Sequence, residues 1–127
     1  MENGDWVWIT LEDAVTIHQQ NIAEFGGLDG LRDMGALQSA LAYPKNMAAY
    51  GTPAMAELAA GYLFALAKNH AFVDGNKRTA WVVTRLFIKL NGGNLVFDKM
   101  EAVQFVEAVA GSLLEQKEIT RWLEARL

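Results

Sequence analysis

The sequence predicts an all-α fold: a compact bundle of about six helices with one short β or irregular flap. Two observations predict it. Helix-period apolar patterns fill most of the 127 residues. The only two prolines, Pro44 and Pro53, fall in one stretch and leave the other patterns uninterrupted. Thr10 is placed to cap a first helix, with Asp13 three residues on in the capping-box position. Leu11, Ala14, Val15, Ile17, Ile22 and Phe25 give that helix its apolar stripe, and Gly26-Gly27 ends it. A short helix fits Asp33 to Ala42. Residues 43–53 read as a loop or irregular hairpin. From Ala54 to Asn69 the only charges are Glu57 and Lys68, so this helix belongs at the centre of the core. A second helix of that kind runs from Asn76 to Leu90, stopped by Asn91-Gly92-Gly93-Asn94. Asp98 or its neighbour opens a helix to about Ala110, and a last one covers roughly 115–127. Trp6-Val7-Trp8-Ile9 reads as a short strand, pairing near 95–97.

Composition bounds what such a bundle can do. At 127 residues, the whole span 1–127 reads as one domain able to bury a core without staples. With 52% apolar and 20% charged residues it is globular rather than disordered. A net charge of −4 argues against direct nucleic-acid binding or coating an anionic membrane. Without cysteine there is no disulfide, thiolate metal site or Cys nucleophile, and a zinc site would need both His18 and His70 plus a carboxylate. Met1 to Asp5 is acidic and lacks a leader's apolar run, and no segment reaches the roughly 18 apolar residues of a membrane span. The expectation is a soluble, cytoplasmic protein.

The informative place is the break between the two most apolar helices, His70-Ala-Phe-Val-Asp-Gly-Asn-Lys-Arg-Thr79. Burying such polar groups unpaired is costly, so their concentration there needs a reason. Charge sharpens the point. Between Lys68 and Lys89 five cations face one acid, Asp74, whereas the rest of the chain holds six cations and fourteen acids. A basic island in an acidic protein suits a compact polyanion such as a nucleoside triphosphate; Arg85 and Lys89 alone read as a solvated helix face. Gly75 permits a left-handed backbone just before a helix, and the unpaired first-turn N–H groups at Asn76 to Arg78 make an anion cradle. Lys77 and Arg78 add cationic donors for phosphate oxygens. Asp74 is the one carboxylate within reach of a Mg²⁺ that travels with phosphates. His70 is the nearby base that titrates near neutrality.

Each residue also has a plainer role. His70 reads as a helix C-terminal cap, Asp74 as an N-cap, Gly75 as a turn residue and Phe72 as core. What argues for chemistry is the combination within nine positions. Gly75-Asn-Lys-Arg-Thr is not a Walker A ending, because Asn76 precedes the lysine and an apolar helix, not a strand, precedes the loop.

His70-x-Phe72-x-Asp74-Gly75-Asn76-Lys77-Arg78-Thr79-Ala80 resembles the signature of the Fic/Doc superfamily, specifically its death-on-curing (Doc) branch. The resemblance extends to Ile17-His18, to Phe25 through Asp33, to Gly35 through Leu41, to Leu66 through His70 and to Leu86 through Gly92, covering roughly residues 9–127. It implies the Fic fold. Against the adenylylating Fic pattern, Lys77 replaces the second loop glycine and Trp81 the last arginine, and lysine is what the Doc branch carries. The resemblance implies a toxin of a type II toxin–antitoxin system. Such a toxin is a protein kinase that moves the ATP γ-phosphate to a threonine of elongation factor Tu. On this resemblance His70 is the general base, Asp74 the Mg²⁺ ligand, and Gly75, Asn76, Lys77 and Arg78 hold phosphates. Residues 43–53, with Tyr43 and Tyr50, would be a flap that docks the target. A cognate antitoxin encoded nearby is implied, with Trp6, Trp8 and Trp122 as exposed-looking apolar candidates for its groove. Two rivals stand beside this reading: a nucleotidyl transferase that tolerates Lys77, and a catalytically inactive partner-binding module.

Overall fold

A computed structural model describes residues 5–127. The acidic stretch Met1 to Gly4, considered above for the want of a leader, lies outside the described residues. Six helices follow one another: α1 Leu11–Phe25, α2 Met34–Ala49, α3 Met55–Lys68, α4 Asn76–Leu90, α5 Lys99–Ala110 and α6 Gln116–Glu124. The all-α bundle is therefore observed. No helix among the described residues is long and apolar enough to cross a membrane.

The caps fall where local chemistry puts them. The Thr10 N–H donates to Asp13 Oδ2 at 2.9 Å and the Asp13 N–H to Thr10 Oγ1 at 3.0 Å, closing the capping box. Gly26, at φ 82°, ends α1 with its N–H on the Ile22 carbonyl. Asp98 caps α5 by accepting from the Glu101 N–H.

α3 is the axis of the bundle. Its run of buried Ala, Leu and Tyr side chains packs against α2, α4, α5 and α6. Tyr62 has no exposed surface, and its hydroxyl oxygen accepts the Ile9 N–H at 3.0 Å. Burial pushes this phenol up to about 12, so it stays protonated throughout the physiological range. Tyr62→Phe keeps the ring but leaves the buried Ile9 N–H without an acceptor. The expected loss is about 1–3 kcal/mol of stability, read as a lower thermal transition in calorimetry.

Two expectations are corrected. First, the stretch from Tyr43 does not leave the helix. α2 runs through Pro44 to Ala49, so only residues 50–54 are irregular and they form no hairpin. The reason is on another helix. A Cβ at Gly61 of α3 would stand 2.9 Å from Met47 Sδ and 3.5 Å from both Pro44 Cγ and Tyr43 Cδ2. The bare glycine lets α2 press close to α3, and that packing outweighs the missing N–H of proline. Tyr43 is thereby a helical residue whose hydroxyl donates to Gln116 Oε1 of α6 at 3.0 Å, whereas Tyr50 follows α2 and is 92% exposed.

Second, Trp6 to Ile9 is not a strand. Among the described residues there is no β-ladder, only a single bridge between Leu31 and Phe72. The Asn91 side chain does what a neighbouring strand would have done: its Oδ1 accepts the Val7 N–H at 2.8 Å and its Nδ2 donates to the Val7 carbonyl at 3.0 Å. Nor are the tryptophans open. Trp6 is buried beside Phe87, Trp8 stacks on the same ring, and Trp122 lies flat on Phe105 at 3.9 Å. These three support the core.

Candidate functional site

α3 ends at Lys68 and α4 begins at Asn76, so the break occupies residues 69–75 at one end of the central helix pair. It is pinned to the 26–33 loop by main-chain bonds. Arg32 and Asp33 donate their N–H groups to the Ala71 carbonyl at 2.8 and 2.9 Å, and Val73 donates to the Gly30 carbonyl at 3.0 Å. Arg32 Nε adds a bond to the His70 carbonyl at 3.1 Å. Asn76 closes the loop from the other side, its Oδ1 accepting the Phe72 N–H at 3.0 Å and its Nδ2 donating to the Phe72 carbonyl at 2.9 Å. The Asn76 amide is thus a staple; what it offers an anion is its main-chain N–H.

His70 is exposed and sits at φ 49°, a left-handed conformation that costs a non-glycine residue of order 1–3 kcal/mol. Asn69 takes the C-cap position of α3, and the His70 ring makes no hydrogen bond among the described residues. Capping is therefore not what the ring does. It is a free imidazole on a tightly held backbone.

Asp74 does not cap α4 either. Gly75 is the N-cap, at φ 77°, a left-handed conformation that favours glycine, and a Cβ there would sit tightly against Ile22 Cδ1 at 3.3 Å. The Asp74 carboxylate accepts two main-chain N–H groups, Leu28 on Oδ2 at 3.2 Å and Gly75 on Oδ1 at 2.8 Å. These bonds, Leu28 first and Gly75 second, hold the carboxyl below its ordinary value against the opposing effect of burial, and the Arg78 charge adds a lesser contribution. It is a fixed anion at neutral pH. Gly27 makes the space for it, since a Cβ there would lie 2.8 Å from Oδ2.

Behind the carboxylate stands the α4 N-terminus. The N–H groups of Asn76, Lys77 and Arg78 have no acceptor among the described residues, and Thr79 is the first to bond back, to the Gly75 carbonyl. Lys77 Nζ pairs with Glu107 Oε1 of α5 at 2.9 Å, and the Arg78 guanidinium lies 4.3 Å over the Phe25 ring. The Lys77–Glu107 pair is half exposed and worth at most about 1 kcal/mol, so it holds the lysine only weakly. Arg85 and Lys89 are exposed on α4, as a solvated face should be.

The donor set fits one kind of metal. No cluster of three or more His, Cys, Asp or Glu that could hold an ion exists among the described residues. A single fixed carboxylate next to unpaired helix N-terminal N–H groups has the chemistry for a Mg²⁺ that keeps waters and takes its other ligands from a bound anion.

A family model described as Fic/DOC family matches residues 8–88. The chain belongs to the Fic/DOC family. It is 35% identical over 103 residues to "Protein kinase doc" of Escherichia phage P1, spanning 80% of this chain and 81% of that protein. It is 47% identical over 77 residues to "Toxin Doc" of Mycolicibacterium smegmatis, spanning 58% of each. The matched segment therefore covers little over half the length of that second relative. The loop itself is contiguous in sequence, whereas its neighbours His18, Leu28, Arg32 and Glu107 are distant in the chain: His18, Leu28 and Arg32 fall in segments that carry the family resemblance, and Glu107 has no signal in the sequence.

Proposed function

We propose that this chain is a cytoplasmic toxin of a type II toxin–antitoxin pair, folded as the single domain 1–127. It acts as a Mg²⁺-dependent protein kinase that transfers the γ-phosphate of ATP to a threonine of elongation factor Tu. One observation carries the reading: a free imidazole, a fixed carboxylate and three open N–H groups meet on one loop in a chain with Doc relatives. In this mechanism the His70 ring takes the proton of the acceptor hydroxyl as its oxygen bonds to the γ-phosphorus and the bond to ADP breaks. The N–H groups of Asn76, Lys77 and Arg78 hold phosphate oxygens at the positive end of α4. Lys77 leaves Glu107, and Arg78 turns from Phe25, to bind the same anion. Asp74 is the residue that would hold Mg²⁺, and the ion would supply neutralisation of the phosphates' charge. Tyr50, exposed after α2, and Tyr43 on α2 are the residues offered to the target segment. A cognate antitoxin is the implied partner, and neither DNA nor membrane contact is part of the reading.

A second reading, a nucleotidyl transferase, draws on the Lys77–Glu107 pair, because that pair draws the lysine to α5. Intact-mass spectrometry of elongation factor Tu after incubation with ATP, Mg²⁺ and this protein separates them. A phosphate adduct supports the kinase, a nucleotidyl adduct replaces it with the second reading, and no adduct with no ATP consumed leaves a partner-binding module.

A further inference from the structure

His18 lies on α1 with 2% of its side chain exposed, and nothing in the phosphoryl-transfer reading uses it. A ring taken out of water needs partners for its polar atoms. Nε2 lies 2.8 Å from the Asp74 main-chain oxygen; a carbonyl only accepts, so Nε2 carries the proton. Nδ1 faces Asp29 Oδ1 at 3.9 Å, beyond hydrogen-bond length. The ring lies flat on Phe72, centroids 3.8 Å apart and planes 6° from parallel. Gly75 passes so near that a Cβ there would stand 3.6 Å from the imidazole. His18 therefore touches the site loop at residues 72 and 74 and leaves little room beside Gly75.

The bond to the Asp74 oxygen acts one peptide plane further on. The Asp74 C=O and the Gly75 N–H are the two ends of one trans peptide and point in opposite directions. Holding the oxygen towards α1 turns the Gly75 N–H away from α1, to where it donates to Asp74 Oδ1. The other carboxylate oxygen receives the Leu28 N–H, and Leu28 is chain neighbour to Asp29, which faces the same imidazole. Of the two amides that aim the carboxylate, Gly75 thus belongs to the peptide that His18 holds, and Leu28 is next in the chain to a residue facing the ring.

We propose that His18 is a positioning residue: it fixes the 74–75 peptide from inside the core and so sets the direction in which Asp74 presents its carboxylate to a nucleotide-borne divalent cation. The proposal rests on Asp74 being the cation ligand. His18→Phe keeps an aromatic ring against Phe72 and removes the donor, whereas His18→Gln returns an N–H near the place of Nε2. The readouts are calorimetric binding of ATP with Mg²⁺ and with EDTA, and the Leu28 and Gly75 amide resonances. In His18→Phe, Mg²⁺-dependent binding falls about 10–100-fold, as when a ligand's supporting hydrogen bond is cut. Binding in EDTA is unchanged, and both amide signals move upfield. His18→Gln recovers most of each effect.

The proposal is overturned if folded His18→Phe binds ATP with Mg²⁺ as tightly as wild type. It is equally overturned if binding weakens alike with and without the metal, or if the amide signals stay in place. Should His18→Phe not fold, His18→Gln and the wild-type ring decide: an Nδ1–H tautomer in the long-range ¹⁵N spectrum overturns the proposal, and an Nε2–H tautomer with wild-type binding in His18→Gln supports it. If wild type binds no ATP at all, the nucleotide reading falls, and the amide signals still judge His18.

Discussion

His70→Ala is expected to lower phosphoryl transfer by about 10²–10⁴-fold, the usual contribution of a positioned general base, with little change in folding. The expectation follows from how the residue is held. Its carbonyl is tied to Arg32 and the neighbouring Ala71 carbonyl to Arg32 and Asp33, so the main chain keeps its course without the imidazole. The ring itself is exposed and makes no hydrogen bond among the described residues, so its removal leaves no buried group unpaired. Alanine inherits the left-handed φ of 49°, a conformation histidine tolerates better, and a small fall in the thermal transition is the expected trace of that. Nucleotide affinity should stay near wild type, since the ring acts on the acceptor proton and not on the phosphates. Transfer rates measured beside calorimetric ATP binding check both halves. Transfer at the wild-type rate would remove His70 from the chemistry.

The parts of this fold legible in the sequence are those decided within one turn of chain. Thr10 with Asp13, Gly26 after α1 and Asp98 before α5 each settle a helix end through bonds between residues no more than four apart. The illegible parts depend on a distant residue. Pro44 reads as a breaker until Gly61 is known to lie against it, and Trp6 to Ile9 reads as a strand until Asn91, 84 positions from Val7, takes the bonds. Phe25 reads as core and is instead the exposed ring under Arg78.

The site divides the same way. His70 to Arg78 is contiguous, so base, carboxylate, glycine and helix N-terminus could be read together. What the sequence does not carry is how the acid is aimed. That depends on Leu28 and His18, 46 and 56 positions away: the packing of α1 against α4 brings His18 to Asp74, and the main-chain bonds between the 26–33 loop and the break bring Leu28. The resting places of the two cations, Glu107 and the Phe25 ring, are invisible for the same reason.

Asp74→Asn separates those two parts of the site. Asparagine keeps the size and one accepting oxygen, enough for either Leu28 or Gly75 but not both. Its amino group then faces one of those N–H groups, two donors together at a solvent-exposed place where water can intervene. The cost in stability is therefore small at neutral pH, and its sign with pH is fixed. The wild-type carboxyl titrates below its ordinary value of 3.8, so its stabilising effect is present above that value and is lost as the pH falls through the lower folded-state one. Thermal transitions of wild type and Asp74→Asn should accordingly converge on acidification, and a gap that widens in acid would contradict the carboxylate geometry. Activity should respond on another scale. Metal-assisted charge neutralisation is worth several kcal/mol, and at about 1.36 kcal/mol per decade its loss amounts to about 10²-fold or more in Mg²⁺-dependent transfer. Raising the Mg²⁺ concentration should restore part of that rate in Asp74→Asn, but none in His70→Ala. Equal insensitivity of both variants to Mg²⁺ would take the metal away from Asp74 and leave the carboxylate as a clasp between the two loops.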